Sequence, residues 1–382
     1  MNQKIILLLS ACLLLVSCGS GPAQKNQKTG DSLVPLALSK NFYKRYKGKL
    51  GEDLFITMCL QRDSSVAGGD TLLSGNYYYD KIGKPLSLKG SLKKEVEISL
   101  TETDELHKKT GLFTGKFTGP ETIEGTWKNP LTGKTYPFTL TETKDGFVGV
   151  ITKAYHHENC DSRTKHLRMH DSINNFTDTM CSYIDMNVAE IQFSNKHIEE
   201  VINKAIVTIM CSFVDTNATS IDQVLNSINN LEDPDYVSNE ITSNIETNEN
   251  NVLGLSAGSF SYYGGAAHPN SSVLYYNYDL TTGKEITLDE LFLPGYKETL
   301  DRVGEKIFWK TYKESDFDGW NFEKGKFTLN QNFLIARGGL AFLFNPYEIG
   351  PYAAGAPDIF IPYGEIKQLL KPGGIISRWR EK

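Results

Sequence analysis

Leu73-Ser74-Gly75-Asn76-Tyr77 and Ile123-Glu124-Gly125-Thr126-Trp127 carry one pattern twice: an aliphatic residue, a glycine two places on, and an aromatic ring two beyond that. Gly83-Lys84 and Gly133-Lys134 follow at the same distance, and then Leu86 and Leu88 stand where Tyr136 and Phe138 stand in the second copy. The offset is 50 throughout, without a gap. Each copy predicts a strand, a turn whose glycine permits positive φ, and a returning strand with alternate residues inward. Around the copies lie further short β-rich runs bounded by Gly, Asp, Asn or Pro: Asp53 to Leu60, Leu72 to Tyr79, Val96 to Leu100, Tyr136 to Leu140 and Phe147 to Ile151. Residues 42–153 are therefore expected to form an all-β meander with an internal repeat, closed as a small barrel or sandwich. Tyr77 and Trp127 have two readings, rings lining a ligand mouth or rings filling a barrel interior.

Upstream, residues 1–17 have the form of a lipoprotein signal peptide. One positive charge precedes an apolar run from Ile5 to Val16, too short for a permanent membrane span, and Leu15-Val16-Ser17-Cys18 matches a lipobox. Cleavage before Cys18 and acylation of that residue would leave a body held by several acyl chains. Residues 18–41 are expected to be a flexible tether. Gly19-Ser20 places no Asp after the cysteine, which favours the outer membrane, periplasmic or surface-facing, over the inner one.

The mature chain of about 365 residues, 40% hydrophobic and 11% aromatic overall, is long enough for two cores. Its charge falls from −6 to about −7 when Lys4 leaves, which disfavours nucleic acid as a partner. Four cysteines remain beyond the lipid site, Cys59, Cys160, Cys181 and Cys211, and composition alone leaves their disulfide pairing open. Residues 154–171 are polar and histidine-rich and are expected to be a linker. His157, Cys160, His166 and His170 have a spacing that can be wrapped around zinc, but they match no tight structural zinc pattern, and Lys165 and Arg168 stand among them. No metal and no cofactor is called for.

From 172 to 382 the pattern becomes α+β. Ile198, Val201, Ile202, Ala205, Ile206 and Ile209 recur at helical spacing after Ser194-Asn195. A second helix is expected over 220–231 and a third over 296–313, with Leu300, Val303, Ile307 and Phe308 inward. Strands are expected over 180–193, 236–246, 252–263, 272–280 and 285–288. Phe333–Ile335 and Leu340–Phe344 should make a hairpin about Arg337-Gly338-Gly339, followed by a strand at 359–362 and a last helix at 364–370. The fold class expected is α+β in two domains, with an antiparallel sheet and packed helices behind the β-rich front.

Two long stretches of this second region carry a resemblance. Tyr262-Tyr263-Gly264-Gly265-Ala266-Ala267-His268-Pro269-Asn270, followed by Asn277-Tyr278-Asp279-Leu280-Thr281-Thr282-Gly283-Lys284, is one. Asn345-Pro346-Tyr347-Glu348-Ile349-Gly350-Pro351-Tyr352-Ala353-Ala354-Gly355, then Ile361-Pro362-Tyr363, is the other. Together they resemble the RsiV-type extracellular domain of anti-sigma factors, which also precedes the catalytic domain of PdaC-type peptidoglycan deacetylases. The likeness runs from about 180 to 371. The family usually reads Gly-Gly-Ala-His where this chain has Gly264-Gly265-Ala266-Ala267-His268, one residue more. The resemblance implies recognition of lysozyme, a strongly basic protein. Candidate binding residues are Tyr262, Tyr263, Gly264, Gly265, His268, Pro269, Asn270, Tyr347 and Tyr352; the bland reading of both motifs is a pair of structural corners.

No nucleophile elbow, phosphate loop or His-Glu-x-x-His occurs. A glycosidase pair drawn from Asp279, Asp289, Glu290 and Glu348 requires a separation that spacing does not supply. The expectation is a non-enzymatic, lipid-anchored envelope protein that binds lysozyme. Cell-wall glycan binding, or a structural role with an envelope partner, are the alternatives, and the lipid anchor is the contact with the membrane.

Overall fold

Eight strands close into a single antiparallel barrel: β1 (Phe42–Leu50), β2 (Leu54–Asp63), β3 (Thr71–Tyr79), β4 (Leu86–Lys93), β5 (Glu97–Thr103), β6 (Lys109–Gly119), β7 (Thr122–Lys128) and β8 (Thr135–Glu142). Each pairs with the next, and β1 completes the ring on β8, Tyr46 opposite Glu142 and Leu50 opposite Phe138. The structure is a computed structural model that describes residues 41–379 except 64–70, 105–107, 145, 170–171, 231–236 and 313–318. It gives only the backbone of 63, 71, 161–169, 172–180 and 230. The expected signal peptide, Cys18 and nearly all of the tether lie outside the described residues.

Alternation drives closure. In β5, Ile98, Leu100 and Glu102 are buried while the residues between them are not. An eight-stranded ring is just wide enough to be filled by side chains. Here Tyr77 meets Phe113 edge to face at 5.1 Å, and Phe113 meets Phe138 at 5.4 Å. Tyr77 and Trp127 are both buried, so they fill the interior and line no open mouth. The repeated glycines sit where the neighbouring strand leaves no room for a side chain. A Cβ on Gly75 would lie 2.0 Å from the carbonyl oxygen of Cys59, and one on Gly125 would lie 2.2 Å from that of Thr114.

Behind the barrel stands a six-stranded sheet in the order β14-β13-β12-β11-β10-β9. Its strands are β9 (Gly149–Met169), β10 (Ser172–Gln192), β11 (Val237–Glu249), β12 (Val252–Tyr263), β13 (Asn270–Asp279) and the two-residue β14 (Lys284–Glu285). One pairing departs from the antiparallel expectation: β10 runs parallel to β11. Parallel neighbours need a crossover, and helices α1 (Lys196–Ser212) and α2 (Ile221–Ser227) lie in it. Asn195 caps α1, its side chain accepting the Ile198 N–H at 3.3 Å. Ile198, Ile202 and Ile206 are buried in a core with Ile241, Ile245 and Leu255 of the sheet, while Val201 faces outward.

A third layer follows. Thr287 and Glu290 open the short helix α3 (Leu288–Leu291), the Thr287 N–H donating to Glu290 at 2.9 Å, which ends the strand expected over 285–288. Helix α4 (Lys297–Thr311) packs Leu300 and Phe308 against a three-stranded sheet of β15 (Phe333–Ile335), β16 (Gly339–Leu343) and β17 (Asp358–Pro362). The last expected helix, over 364–370, is instead a short 3-10 turn at Lys367–Leu369. The backbone there bridges to the segment after α3, with Leu293 N–H donating to Leu369 O at 2.8 Å, so it is not free for helical bonds.

Two boundaries move. Phe147 to Ile151, assigned to the front domain, belongs to the start of β9 and the residues before it, and Val148 exchanges two hydrogen bonds with the Asn248 side chain at 3.0 and 2.8 Å. The expected linker 154–171 contributes most of β9, which pairs with β10 from Gly149 to Met169. Its polarity reflects a strand with solvent-facing side chains such as His156 and Glu158.

The barrel is bonded to the layers behind it. Tyr43 stacks on Phe147 at 5.5 Å, and Arg45 donates to Asn248 O at 2.8 Å. Glu249 accepts the Tyr78 hydroxyl at 2.8 Å and pairs with Arg337 at 3.1 Å. Gly338 N–H donates to Gly83 O at 3.1 Å.

Candidate binding surface

Asparagines assemble the surface. Strand β13 has only a short partner on its outer side, so the N–H and C=O groups at 273–277 need other ligands. Asn345 supplies a pair for Val273, its Oδ1 accepting the Val273 N–H at 2.7 Å and its Nδ2 donating to the Val273 carbonyl at 3.1 Å. Asn332 accepts the Tyr275 N–H at 2.7 Å, and Asn277 reaches back to Phe333 O at 2.8 Å and Ile335 N–H at 2.8 Å. Three side chains thus splice the six-stranded sheet to the three-stranded one. Asn277 and Asn345 stand inside the two motifs, and Asn332 shortly before the second. Their role was hidden, since an asparagine that caps a strand edge leaves no periodic mark in sequence.

Docking Asn345 brings the two motifs together across 79 residues. The Tyr347 hydroxyl lies 3.0 Å from His268 Nε2, and the Tyr352 ring stacks on the imidazole with centroids 4.0 Å apart and planes 20° apart. His268 Nδ1 lies 2.9 Å from the carbonyl of Pro269. Tyr347 has φ +74°, a left-handed conformation uncommon for a residue with a side chain, and its side chain is 57% exposed. The additional alanine before His268 is accommodated in an exposed turn, where Gly265 takes φ +85° and Tyr262 donates its hydroxyl to Ala266 O at 3.3 Å.

Of the nine residues expected to bind, the structure groups His268, Pro269, Tyr347 and Tyr352. Tyr262, Gly264 and Gly265 shape the turn beneath them. Tyr263 is exposed, one residue after Tyr262 and so on the opposite face of β12, and Asn270 opens β13 opposite Ser261.

The four acids considered as a catalytic pair each hold a structural partner. Asp279 is gripped by both Arg378 nitrogens at 3.0 and 2.8 Å, and Asp289 accepts the Tyr296 hydroxyl at 3.0 Å. Glu290 caps α3, and Glu348 accepts from Asn330 at 2.9 Å. Burial works to raise the Asp279 carboxyl, but Arg378 and the Thr281 donors outweigh it and hold the group below the usual carboxylate range. Among the cysteines, Cys160 and Cys181 face each other across β9 and β10 in a disulfide, while Cys59 and Cys211 are free and buried. Glu158, Cys160 and Cys181 lie within metal-ligand reach of one another, but the disulfide takes both thiolates that zinc would need. His156 meets Asp185 at 2.6 Å and His157 meets Asn229 at 3.0 Å, and the side chains of His166 and His170 lie outside the described residues.

Sequence reasoning passed over one further group. Glu102 lies inside the barrel, accepting Tyr77 O–H and Trp127 Nε1–H at 2.7 Å each and Thr110 O–H at 2.6 Å. The signal was present, because Glu102 occupies an inward position in the alternation of β5.

Residues 289–364 match the family model described as "Protein of unknown function (DUF3298)". That segment is a DUF3298 domain. It contains Tyr347 and Tyr352 and not His268, so the surface is shared between the DUF3298 domain and the β12–β13 turn. A member of the DUF3298 family from Bacteroides fragilis NCTC 9343 is similar at 18% identity and a TM-score of 0.45, over 59% of this chain and 98% of its own. A DUF3298 family protein from Pseudomonas aeruginosa PAO1 is similar at 17% identity and a TM-score of 0.41, over 58% and 95%. No curated protein matches the chain. Among the described residues, no helix is long and apolar enough to cross a membrane.

Proposed function

We propose that this is a non-enzymatic, lipid-anchored protein of the cell envelope whose His268–Tyr347–Tyr352 surface docks a protein partner, lysozyme being the one the RsiV resemblance implies. The observation that carries the reading is Tyr347, a tyrosine kept exposed in a left-handed backbone conformation with its hydroxyl held on His268. Such a conformation persists where surrounding structure imposes it, and a rigid tyrosine offers contact area at low entropic cost. Both ring nitrogens of His268 are already engaged, which suits a positioning role better than acid–base catalysis. An acidic chain favours encounter with a basic protein.

The test is titration of the purified chain with a c-type lysozyme at low and high salt, with isolated peptidoglycan in a parallel arm. Saturable lysozyme binding, weakened by salt and by Tyr347→Ala together with Tyr352→Ala, is expected. Absence of binding at micromolar concentrations overturns the lysozyme reading. Salt-resistant capture by peptidoglycan alone would move the function to glycan recognition. A fragment starting at 172 is unsuitable, since it lacks β9 and half of the disulfide.

A further inference from the structure

Hydrogen positions at this surface follow from its acceptors. The Pro269 carbonyl can only accept, so the hydrogen between it and His268 sits on Nδ1. In the neutral ring Nε2 is then bare, and the Tyr347 hydroxyl must donate to it. Tyr262 likewise directs its hydroxyl hydrogen inward, to Ala266 O. Both phenols therefore turn lone pairs, not hydrogens, toward a partner. The next residue in the chain, Glu348, is exposed, and one of its carboxylate oxygens accepts from Asn330.

Charge points the same way, and independently. From Ala205 to Gly283 there is no lysine or arginine in 79 residues, against nine aspartates and glutamates. From Gly338 to Ile366 there is again none in 29 residues, against three acids. The chain as a whole carries 40 lysines and arginines in 382 residues, so about eleven would be expected over these two stretches. They are the stretches that deliver His268 and Tyr347. The surface offers outward acceptors, exposed aromatic rings and no competing cation from the segments that build it.

We infer that the Tyr347 surface recognises a cationic side chain of its partner, an arginine guanidinium seated against Tyr347 with donors directed at its phenolic oxygen and at Glu348. This deepens the docking proposed above and rests on it. A guanidinium matches the surface because it donates only, in a planar fork, and stacks on aromatic faces. A neutral amide of the same shape would bring an acceptor against acceptors and lose the attraction of the carboxylate.

The experiment is an NMR titration of the purified chain with N-acetyl-arginine amide and, separately, with its neutral isostere N-acetyl-citrulline amide, following the His268 and tyrosine ring signals. Arginine should perturb Tyr347, His268 and Tyr352 saturably in the millimolar range, and citrulline should need at least ten times more. Tyr347→Phe keeps the ring and removes the acceptor. Glu348→Gln keeps the shape and removes the charge. Each should weaken arginine binding at least threefold with the unfolding midpoint unchanged. Equal responses to arginine and citrulline, or an arginine response indifferent to both substitutions, overturns the inference. Arginine binding at Tyr347 without lysozyme binding supports it while removing lysozyme as the partner. Lysozyme binding undiminished by both substitutions overturns it while leaving the lysozyme reading in place.

Discussion

Gly83 of the barrel and Gly338 of the β15–β16 turn meet backbone to backbone. Gly338 N–H donates to Gly83 O at 3.1 Å, and a Cβ on Gly83 would lie 2.4 Å from Gly338 N. The repeat supplies its own control, because Gly133 has the same left-handed turn, φ +71° against +68°, with open space around it. One copy of a duplicated turn has thus become the joint between barrel and DUF3298 domain.

Gly133→Ala should cost only the conformational penalty, about 1 kcal/mol. Gly83→Ala adds a collision that neither backbone can relieve and should cost about 3 kcal/mol or more, in the range of overpacking. Chemical denaturation of the two variants compares them directly, and equal losses would show that the joint contributes nothing.

Glu102 is the other joint, this time between the two halves of the barrel. Glu102→Leu strips the buried Trp127 Nε1–H of its partner and leaves the Tyr77 hydroxyl only the long contact to the Tyr79 hydroxyl at 3.4 Å, and should lower stability by about 2 kcal/mol or more. Tyr77→Phe, which removes one donor and leaves the carboxylate two others, should cost about 1 kcal/mol. Urea unfolding midpoints decide between a required network and an incidental one.

Asp279 links stability to pH. Its folded carboxyl lies below the ordinary range, so its contribution is present above the unfolded pKa and is lost as pH falls through the lower folded value. Arg378→Met should therefore destabilise by about 2 kcal/mol near neutrality, with the gap to the parent protein closing on acidification. Thermal melts from pH 7 to pH 2.5 test this, and a gap that widens in acid would contradict it.

Non-reducing peptide mapping should recover Cys160 joined to Cys181 and no other pairing. Burial raises the Cys59 thiol to about 11, and Cys211 is raised by burial as well. Both should resist alkylation at pH 8 in the native protein and react once it is unfolded.

Much of the fold was legible because it is written locally. The 50-residue offset marked β3-β4 and β7-β8 as copies, alternation gave their inward faces, and the spacing from Ile198 to Ile209 marked α1. The largest misreading took polarity for lack of structure. Residues 154–171 looked like a linker because their sequence is polar, yet a strand needs only backbone partners, and β10 supplies them as far as Met169. Of the binding surface, the two motifs were visible as separate lines of text, but their meeting was not.

Local preferences declare most of the strands, turns and helices, since side-chain period and glycine freedom act over a few residues. Partnership is a different matter. That β10 lies parallel to β11, that Cys160 faces Cys181, and that the Tyr347 hydroxyl meets His268 Nε2 depend on groups up to 79 residues apart. Such pairs are chosen by the competition of all edges, donors and apolar faces for burial at once. Only in the folded chain does Asn345 find the edge of β13, and with it the tyrosine finds its histidine.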